Sequence, residues 1–198
     1  MKHSILAATV LAAIPLLSAC TTTPPVEVTR FHLQDAASLG RGPIYVTAAQ
    51  GTDASTLEFR NYAAAVSQQL AAIGYSPQSG ASPGAQVAEV RFNVSTLQAV
   101  RNGSPVSVGM GGATGSYGGG VGLGIGIDLS GPPANQVGTE LAVTIRDQPQ
   151  GKSLWEGRAV QMVSEKSALA SPQAAAQRLS AALFKGFPGN SGETITVK

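Results

Sequence analysis

The sequence contains a single cysteine, Cys20, and only two histidines among its 198 residues. A disulfide bond within the chain is therefore impossible, and His/Cys metal clusters or Cys-His catalysis lack the side chains that they need. Charged residues make up 12% of the chain, which excludes a charge-driven disordered tail. Lysine and arginine total 13 against 11 aspartates and glutamates, too small an excess for a surface that follows nucleic-acid phosphates. We therefore expect a non-catalytic protein without a cofactor, a metal site or a nucleic-acid partner.

The first residues have the composition of an export signal. An apolar run from Ile5 to Leu17 follows a basic start. The run is shorter than the roughly 20 apolar residues of a membrane-spanning helix. Small residues precede Cys20, as they precede the cleavage site of a signal peptide. Residues 1–19 are therefore predicted to be a signal peptide, and a mature chain that starts at Cys20 suits one domain.

The segment Leu17-Ser18-Ala19-Cys20 resembles the lipobox of bacterial lipoproteins, in which the cysteine is acylated and becomes the first mature residue. The resemblance implies that Cys20 is the lipid attachment site, that residues 20–27 are a lipidated N-terminus with a short tether, and that a lipid bilayer is a partner. Several acyl chains anchor durably, since each buried CH₂ contributes about 0.8 kcal/mol. Thr21 stands where an aspartate retains many enteric lipoproteins in the inner membrane, so we expect the periplasmic face of the outer membrane. The alternative is an ordinary signal peptide followed by an unmodified cysteine.

Hydrophobic periodicity predicts several strands in the mature chain. Branched and aromatic residues predict strands at Val28–Leu33 and Pro43–Gln50, which are expected to pair with each other. Alternating residues predict a strand over Glu89–Ser95 with one solvent-exposed face. A hairpin is expected within residues 137–163, and its outer strand carries Trp155.

Two segments have helix signals at their ends. Ser55 and Glu58 fit a capping box, apolar residues then recur at helical spacing, and Gly74 supplies a stop. Ser171 as N-cap and Pro172 at the first helical position open a second helix. The sequence therefore predicts two helices. Along the chain, one comes before the strand Glu89–Ser95 and the predicted hairpin, and the other comes after them.

The order of the elements, β-β-α-β-(β)-β-β-α, has strands that follow one another and too few helices for a doubly wound sheet. We therefore predict an α+β fold with a mainly antiparallel sheet and two helices packed on one face. This single domain is expected over residues 28–188, followed by a loose tail over 189–198.

The middle of the chain, residues 103–131, is rich in glycine. A phosphate-binding loop is disfavoured because the tract contains no G-x-G-x-x-G motif. Glycines spaced four residues apart would suit a glycine-zipper helix, but each glycine costs about 1 kcal/mol relative to alanine in a helix. We favour a strand over Val121–Ile127 with branched residues on one face and glycines on the other, entered through a mobile loop over Gly103–Gly120. The helix Phe59–Ile73, a lipid chain or a partner is then expected against the glycine face.

Two apparent catalytic patterns do not fit the chemistry that they suggest. Residues 80–84 match the G-x-S-x-G pattern of serine hydrolases, but Pro83 removes the backbone N–H expected to bind the oxyanion. Asp147 and Glu156 could approach each other as an acid-base pair, but carboxylates near a turn are usually solvated. His32 is interpreted as a strand residue without a catalytic role.

Three segments together resemble a family of bacterial lipoproteins that carry a domain of unknown function. They are Leu57–Tyr75 with its Gly-Tyr end, the glycine-rich strand Gly118–Ile127, and Leu154–Ala159 with its Leu-Trp-x-Gly pattern. The resemblance spans about residues 28–188. It implies a bacterial lipoprotein located at the cell envelope, and the family has no catalytic residues that could be assigned to this chain. The short segment Phe31-His32-Leu33 is also similar to auxiliary lipoproteins of envelope transporters.

Two main functions stay open, beside an enzyme of an unrecognised type. The first is a non-catalytic, membrane-anchored envelope module that binds an envelope protein or the cell-wall layer. The second is a lipid or apolar-ligand accessory of an envelope transport system, in which the glycine face takes acyl chains. A filled core would favour the first function, and a lined cavity beneath the glycine strand would favour the second. Trp155 is expected to be a partly buried packing residue.

Overall fold

The computed structural model describes residues 23–34, 37–99, 106–113, 120–127, 134–148 and 151–198. The predicted signal peptide and Cys20 lie outside the described residues. The described elements are β1 (Val26–His32), β2 (Gly42–Ala48), α1 (Leu57–Ala72), β3 (Tyr75–Gln78), β4 (Gln86–Leu97), β5 (Val106–Ala113), β6 (Gly120–Ile127), β7 (Gln136–Arg146), β8 (Ser153–Ser164), α2 (Pro172–Phe184) and β9 (Glu193–Val197), with a short 3₁₀ helix at Ala168–Ala170.

Seven of the strands form one sheet in the order β3-β2-β4-β7-β8-β1-β9. Its pairings are antiparallel except that β2 runs parallel to both of its neighbours, β3 and β4. Helix α1 packs against β2, β3 and β4, helix α2 packs against β1, β7 and β8, and the two helices contact each other. The structure confirms the predicted α+β fold, with a mainly antiparallel sheet and two helices on one face.

Alternation along the central strands places one set of side chains under the helices. In β7, Leu141, Val143 and Ile145 are buried, whereas the residues between them are half-buried. The largest fully buried side chains are Trp155, Tyr62, Ile44, Leu70, Leu141, Ile145, Leu179 and Leu183. Because full burial of such an aliphatic side chain stabilises by about 1.5–3 kcal/mol, the layer between helices and sheet is the main source of stability.

Helix α1 begins one residue later than the capping box predicts. Its N-cap is Thr56, whose hydroxyl accepts a hydrogen bond from the Phe59 amide at 3.1 Å. The predicted N-cap, Ser55, is wrong because its hydroxyl instead donates to the carboxylate of Asp53 at 2.7 Å. Gly74 follows the helix as predicted and has a φ of +107°, which favours glycine.

The second helix and the late hairpin are confirmed. Helix α2 has Ser171 as N-cap and Pro172 in its first turn. Strands β7 and β8 pair antiparallel, with an irregularity at Ile145/Arg146 beside the turn. The hairpin therefore forms the centre of the sheet, with β4 on one side and β1 on the other.

The predicted pairing of the first two strands is wrong. Strand β1 lies between β8 and β9, and β2 lies between β3 and β4. Consecutive strands usually pair, but here helix α1 follows β2, packs against it and connects it to β3, which pairs parallel to β2. The tail over 189–198, expected to be loose, contains β9, which pairs with β1 along Glu193–Val197.

The glycine-rich segment contains two strands. The predicted strand is confirmed as β6 (Gly120–Ile127), which excludes the glycine-zipper helix there. The loop predicted over Gly103–Gly120 is wrong over Val106–Ala113, because these residues form β5 and pair antiparallel with β6. The reason is that β5 also alternates branched or long apolar residues with small ones, which suits a strand. Helix α1, one candidate to cover the glycine face, packs instead on β2–β4 and α2.

Candidate functional site

The candidate site is the sheet face opposite the helices, which we call the open face. It consists of Glu27, Thr29 and Phe31 of β1, Glu89, Arg91, Asn93 and Ser95 of β4, Glu140, Ala142 and Thr144 of β7, and Glu156, Arg158, Val160 and Met162 of β8. These residues alternate with the buried core residues of the same strands, so the sheet itself fixes their positions. The solvent-exposed face predicted for Glu89–Ser95 is part of this surface.

Strand register aligns the charges of the open face in rows across the sheet. The three rows are Glu89-Thr144-Glu156, Arg91-Ala142-Arg158 and Glu140-Val160-Glu27. An acidic row, a basic row and a second acidic row thus follow one another, about 7 Å apart. A partner that docks across these rows must match three bands of alternating charge.

Two ion pairs link side chains at this face. Arg158 Nη1 lies 3.7 Å from Glu140 Oε2, and Arg146 Nε lies 3.0 Å from Glu89 Oε2. Exposed pairs of this kind contribute only about 0–1 kcal/mol to stability. The charged rows therefore matter more for what can approach the face than for the stability of the fold.

A groove of about 240 Å³ lies on the open face between β4, β7, β8 and β1. Its lining includes Phe31, Arg91, Glu156 and Arg158. The Phe31 side chain is 54% exposed. In this groove its apolar ring lies beside guanidinium and carboxylate groups. This combination can bind an aromatic or aliphatic side chain together with a charged one.

Trp155 lies on the other side of the sheet and is 1% exposed. Its ring stacks on Phe184 with centroids 5.4 Å apart, and its Nε1 donates to the carbonyl oxygen of Pro188 at 3.0 Å. A Cβ at Gly157 would overlap the Trp155 indole ring. The glycine of the Leu-Trp-x-Gly pattern is therefore explained by the indole, which lies over this residue. The expected packing role is confirmed, although burial is complete rather than partial.

Arg30 is a buried charge that the sequence interpretation missed. Its Nη2 donates at 3.3 Å to the carbonyl of Ala182 near the end of α2, which also accepts a hydrogen bond from the Lys185 amide. Burial lowers the pKa of the guanidinium, and the carboxylate of Glu193 opposes this shift. Val26, Val28 and Arg30 are buried and lie two residues apart along β1. The period-two alternation of a strand was therefore the sequence signal that could have placed Arg30 on the side of the helices.

Two of the other residues weighed as catalytic, His32 and Asp147, make contacts with backbone groups. The His32 ring lies 3.0 Å from the carbonyl of Leu33 and 3.1 Å from that of Gly189. Asp147 lies in the β7–β8 turn and accepts a hydrogen bond from the Lys152 amide at 2.9 Å. Its suggested partner, Glu156, lies in the first acidic row. Among the residues of the described ranges, no group of three or more histidine, cysteine or acidic residues could hold a metal ion.

The serine-hydrolase pattern also has the wrong structural context. Residues 80–84 connect strand β3 to strand β4, whereas a nucleophile elbow connects a strand to a helix. The carbonyl of Ser82 accepts a hydrogen bond from the Ala85 amide at 3.0 Å, as in a turn. No helix in the described parts of the chain is long and apolar enough to cross a membrane.

The sequence profile of a family described as a domain of unknown function, DUF4136, matches residues 30–189. An uncharacterized protein of Zymomonas mobilis subsp. mobilis is 30% identical over 233 aligned residues, which cover 94% of this chain and 84% of that protein. The profile match runs from within β1 to beyond α2 and so includes both helices and all of the open face except Glu27 and Thr29.

Two solved structures are similar to this chain at low sequence identity. A PDZ domain protein from Parabacteroides distasonis is similar with a TM-score of 0.52 and 12% identity, covering 88% of this chain and 39% of that chain. The chain thus spans less than half the length of that protein, and the likeness shows the fold alone. A PelC dodecamer from Paraburkholderia phytofirmans gives a TM-score of 0.42 at 11% identity, covering 84% of this chain and 99% of that chain.

Proposed function

This chain belongs to the family of the domain of unknown function DUF4136, and we propose that it is a lipid-anchored, non-catalytic module of the bacterial cell envelope. In this proposal Cys20 carries the acyl chains, the membrane is the outer membrane, and the open face binds a protein partner. The observation that carries the binding role is the three charged rows on the open face.

The position of β1 supports an anchor that holds the domain close to the bilayer. Strand β1 begins at Val26, so the segment from Cys20 reaches about 20 Å at most. The carbonyl of Pro24 accepts a hydrogen bond from Arg178 of α2, whose Nη1 also donates to Gln161 at 2.9 Å. Pro24, near the end of the predicted tether, is therefore fastened to the fold, and in this proposal only a few residues separate the domain from the membrane.

The chemistry of the open face favours a protein partner. Alternating bands of charge reject a partner with the wrong charges and fix the register of the right one, which is how electrostatic complementarity gives specificity. The exposed ring of Phe31 offers an apolar anchor beside those charges. The space between helices and sheet is filled by large side chains, which supports the binding module over an accessory that encloses an acyl chain.

Replacement of Cys20 by serine tests the anchor. Without the thiol there is no site for acylation, so we expect the protein to be released from the membrane or to persist as an uncleaved precursor. Fractionation of cells and the mass of the N-terminal peptide measure both outcomes. A processed, membrane-bound Cys20→Ser protein would mean that the anchor is wrong.

Reversal of the basic row tests the binding face. The double variant Arg91→Glu/Arg158→Glu converts the middle row to acid, and the matched control Arg60→Glu/Lys166→Glu makes the same charge change at exposed positions elsewhere. Size-exclusion chromatography of envelope extracts in mild detergent measures the assembly that contains this protein. We expect the first variant to elute at a smaller size than wild type and the control to elute with wild type. Equal elution of all three proteins would contradict binding through the open face.

A further inference from the structure

The alternation of charge on the open face continues for a fourth row. In β7, Arg146 lies one row beyond the first acidic row, on the side away from the basic row. Its side chain joins Glu89 in an ion pair, so it lies on the same face of the sheet. Along the strands the rows are therefore basic, acidic, basic and acidic.

This arrangement makes the open face complementary to itself. A two-fold axis that lies along the rows, midway between the first acidic row and the basic row, brings a second copy face to face with the first. The rotation exchanges those two rows and keeps each strand opposite the same strand of the other copy. The opposed pairs are Glu89 with Arg91, Glu156 with Arg158, and Glu140 with Arg146. Each pair occurs twice by symmetry, and no two like charges of these four rows lie directly opposite each other.

The side chains at the centre of the face allow two copies to approach closely. Thr144 of one copy lies opposite Ala142 of the other, and both side chains are short. In β1, Phe31 lies opposite Thr29, so the second copy would cover a ring that is 54% exposed in the single chain. Sheets that pack face to face lie about 10 Å apart with their strands within about 30° of each other. Charged side chains from both copies can meet across that distance.

The same axis suits two copies in one membrane. Because the axis lies along the rows, it crosses the sheet from β4 towards β1, and β1 of both copies lies at the same end of it. The tether predicted from Cys20 enters the fold at Val26, the first residue of β1. Both tethers therefore leave at the same end of the axis, where one bilayer can hold both anchors.

We propose that the partner of the open face is a second copy of this chain, bound face to face about this axis. The inference rests on the proposed binding role of the open face and names its partner. Four rows on the strands β4, β7, β8 and β1 cover about 27 by 19 Å, a small interface. We therefore expect a dimer that depends on concentration, which a shared membrane raises locally.

Complementary charge reversals test the dimer. The acidic variant is Arg91→Glu/Arg158→Glu, and the basic variant is Glu89→Arg/Glu156→Arg. Two full-length copies with different affinity tags are expressed together and extracted in mild detergent, and recovery of the second tag is measured after purification through the first. Two wild-type copies should co-purify. Two acidic copies, or two basic copies, should co-purify at least about tenfold less, because like charges then meet at four places.

The mixed pair distinguishes the dimer from other causes of a loss. One acidic copy with one basic copy should co-purify like wild type, because opposite charges meet again at all four places. Copies that only share a micelle would co-purify in every combination, and so would contradict the proposal. The control Arg60→Glu/Lys166→Glu should behave like wild type, and circular dichroism checks the fold of each variant. Recovery of the wild-type pair should also fall as salt is raised, which needs no substitution.

Failure of the dimer differs from failure of the binding face. If wild-type copies do not co-purify, or if the mixed pair recovers no better than two acidic copies, the second copy is not the partner. A smaller elution size of the acidic variant in envelope extracts would then leave the open face as the site of a different protein. Unchanged elution of that variant would contradict the proposed function as well.

Discussion

Substitution of Gly157 by alanine should destabilise the domain, because the new methyl group would enter the space of the Trp155 indole. A Cβ at this position would lie 2.8 Å from two indole carbons and closer still to a third. The ring cannot move away freely, since its centroid lies 5.4 Å from that of Phe184 and 5.2 Å from that of Phe187, and its N–H is bonded to Pro188.

The expected loss follows from these contacts. Overpacking of a close-packed core costs about 1–3 kcal/mol, and the loss of a hydrogen bond costs about 1 kcal/mol. We therefore expect Gly157→Ala to lower the free energy of unfolding by about 2–4 kcal/mol, which lowers the Tm by about 5–15 °C in a domain of this size. Thermal unfolding followed by circular dichroism measures this change. Because Trp155 is the sole tryptophan, its emission should also move to longer wavelength.

Gly80→Ala is the matched control. Gly80 lies in the loop after β3, and nothing lies within 4 Å of a Cβ there. The same chemical change should therefore alter stability by less than about 0.5 kcal/mol. If both variants unfold at the wild-type temperature and the emission of Trp155 does not change, the indole does not lie over Gly157 and the reasoning fails.

Three further predictions concern Gly74 after helix α1, the buried phenol of Tyr62 and the emission of Trp155. Gly74→Ala should destabilise the domain more than Gly84→Ala in urea unfolding. Both glycines have positive φ, but of the two only Gly74 would bring a Cβ into overlap with the carbonyl of Gly40. Equal losses of unfolding free energy would show that backbone strain alone causes them. Burial and the nearby Glu58 raise the pKa of Tyr62 from 10.0 to about 12. The folded state therefore keeps this phenol protonated where the unfolded chain ionises, so the associated stability is complete below pH 10 and is lost as the pH rises toward 12. Tyr62→Phe should reduce this alkaline loss, and an unchanged difference between urea unfolding near pH 9 and near pH 11 would contradict it. The emission of Trp155 should be typical of a buried indole and insensitive to added oligosaccharide, whereas emission typical of water would show that it is exposed.

Much of the fold is readable from the sequence where local signals are strong. The late hairpin and the second helix are predictable because alternation and a Ser-Pro start act over a few residues. Strand β9 also has a local signal, since Glu193–Val197 alternates threonine with Ile195 and Val197, but the glycines before it suggested a loose tail. Strand β3 has a weaker signal because Pro77 interrupts it, which an edge strand tolerates.

The candidate site is harder to predict because it depends on register between distant strands. Arg91 and Arg158 form one row only because β4, β7 and β8 pair with particular offsets. The sequence also does not reveal that β1 and β2 are on different sides of the hairpin, because the tendency of consecutive strands to pair favours the wrong arrangement. Local periodicity thus predicts which face of each strand is exposed, and the registers predict which exposed residues meet.

The most direct test of the central claim, that the open face binds a partner at the membrane, is site-specific photo-crosslinking in living cells. A photoreactive amino acid replaces Thr144 on the open face or, as control, the exposed Gln177 on α2. We predict a discrete crosslinked product from position 144 that disappears when Arg91 and Arg158 are both changed to glutamate, and no such product from position 177. A product from position 177 alone, or a product from position 144 that survives the charge reversal, would contradict the account.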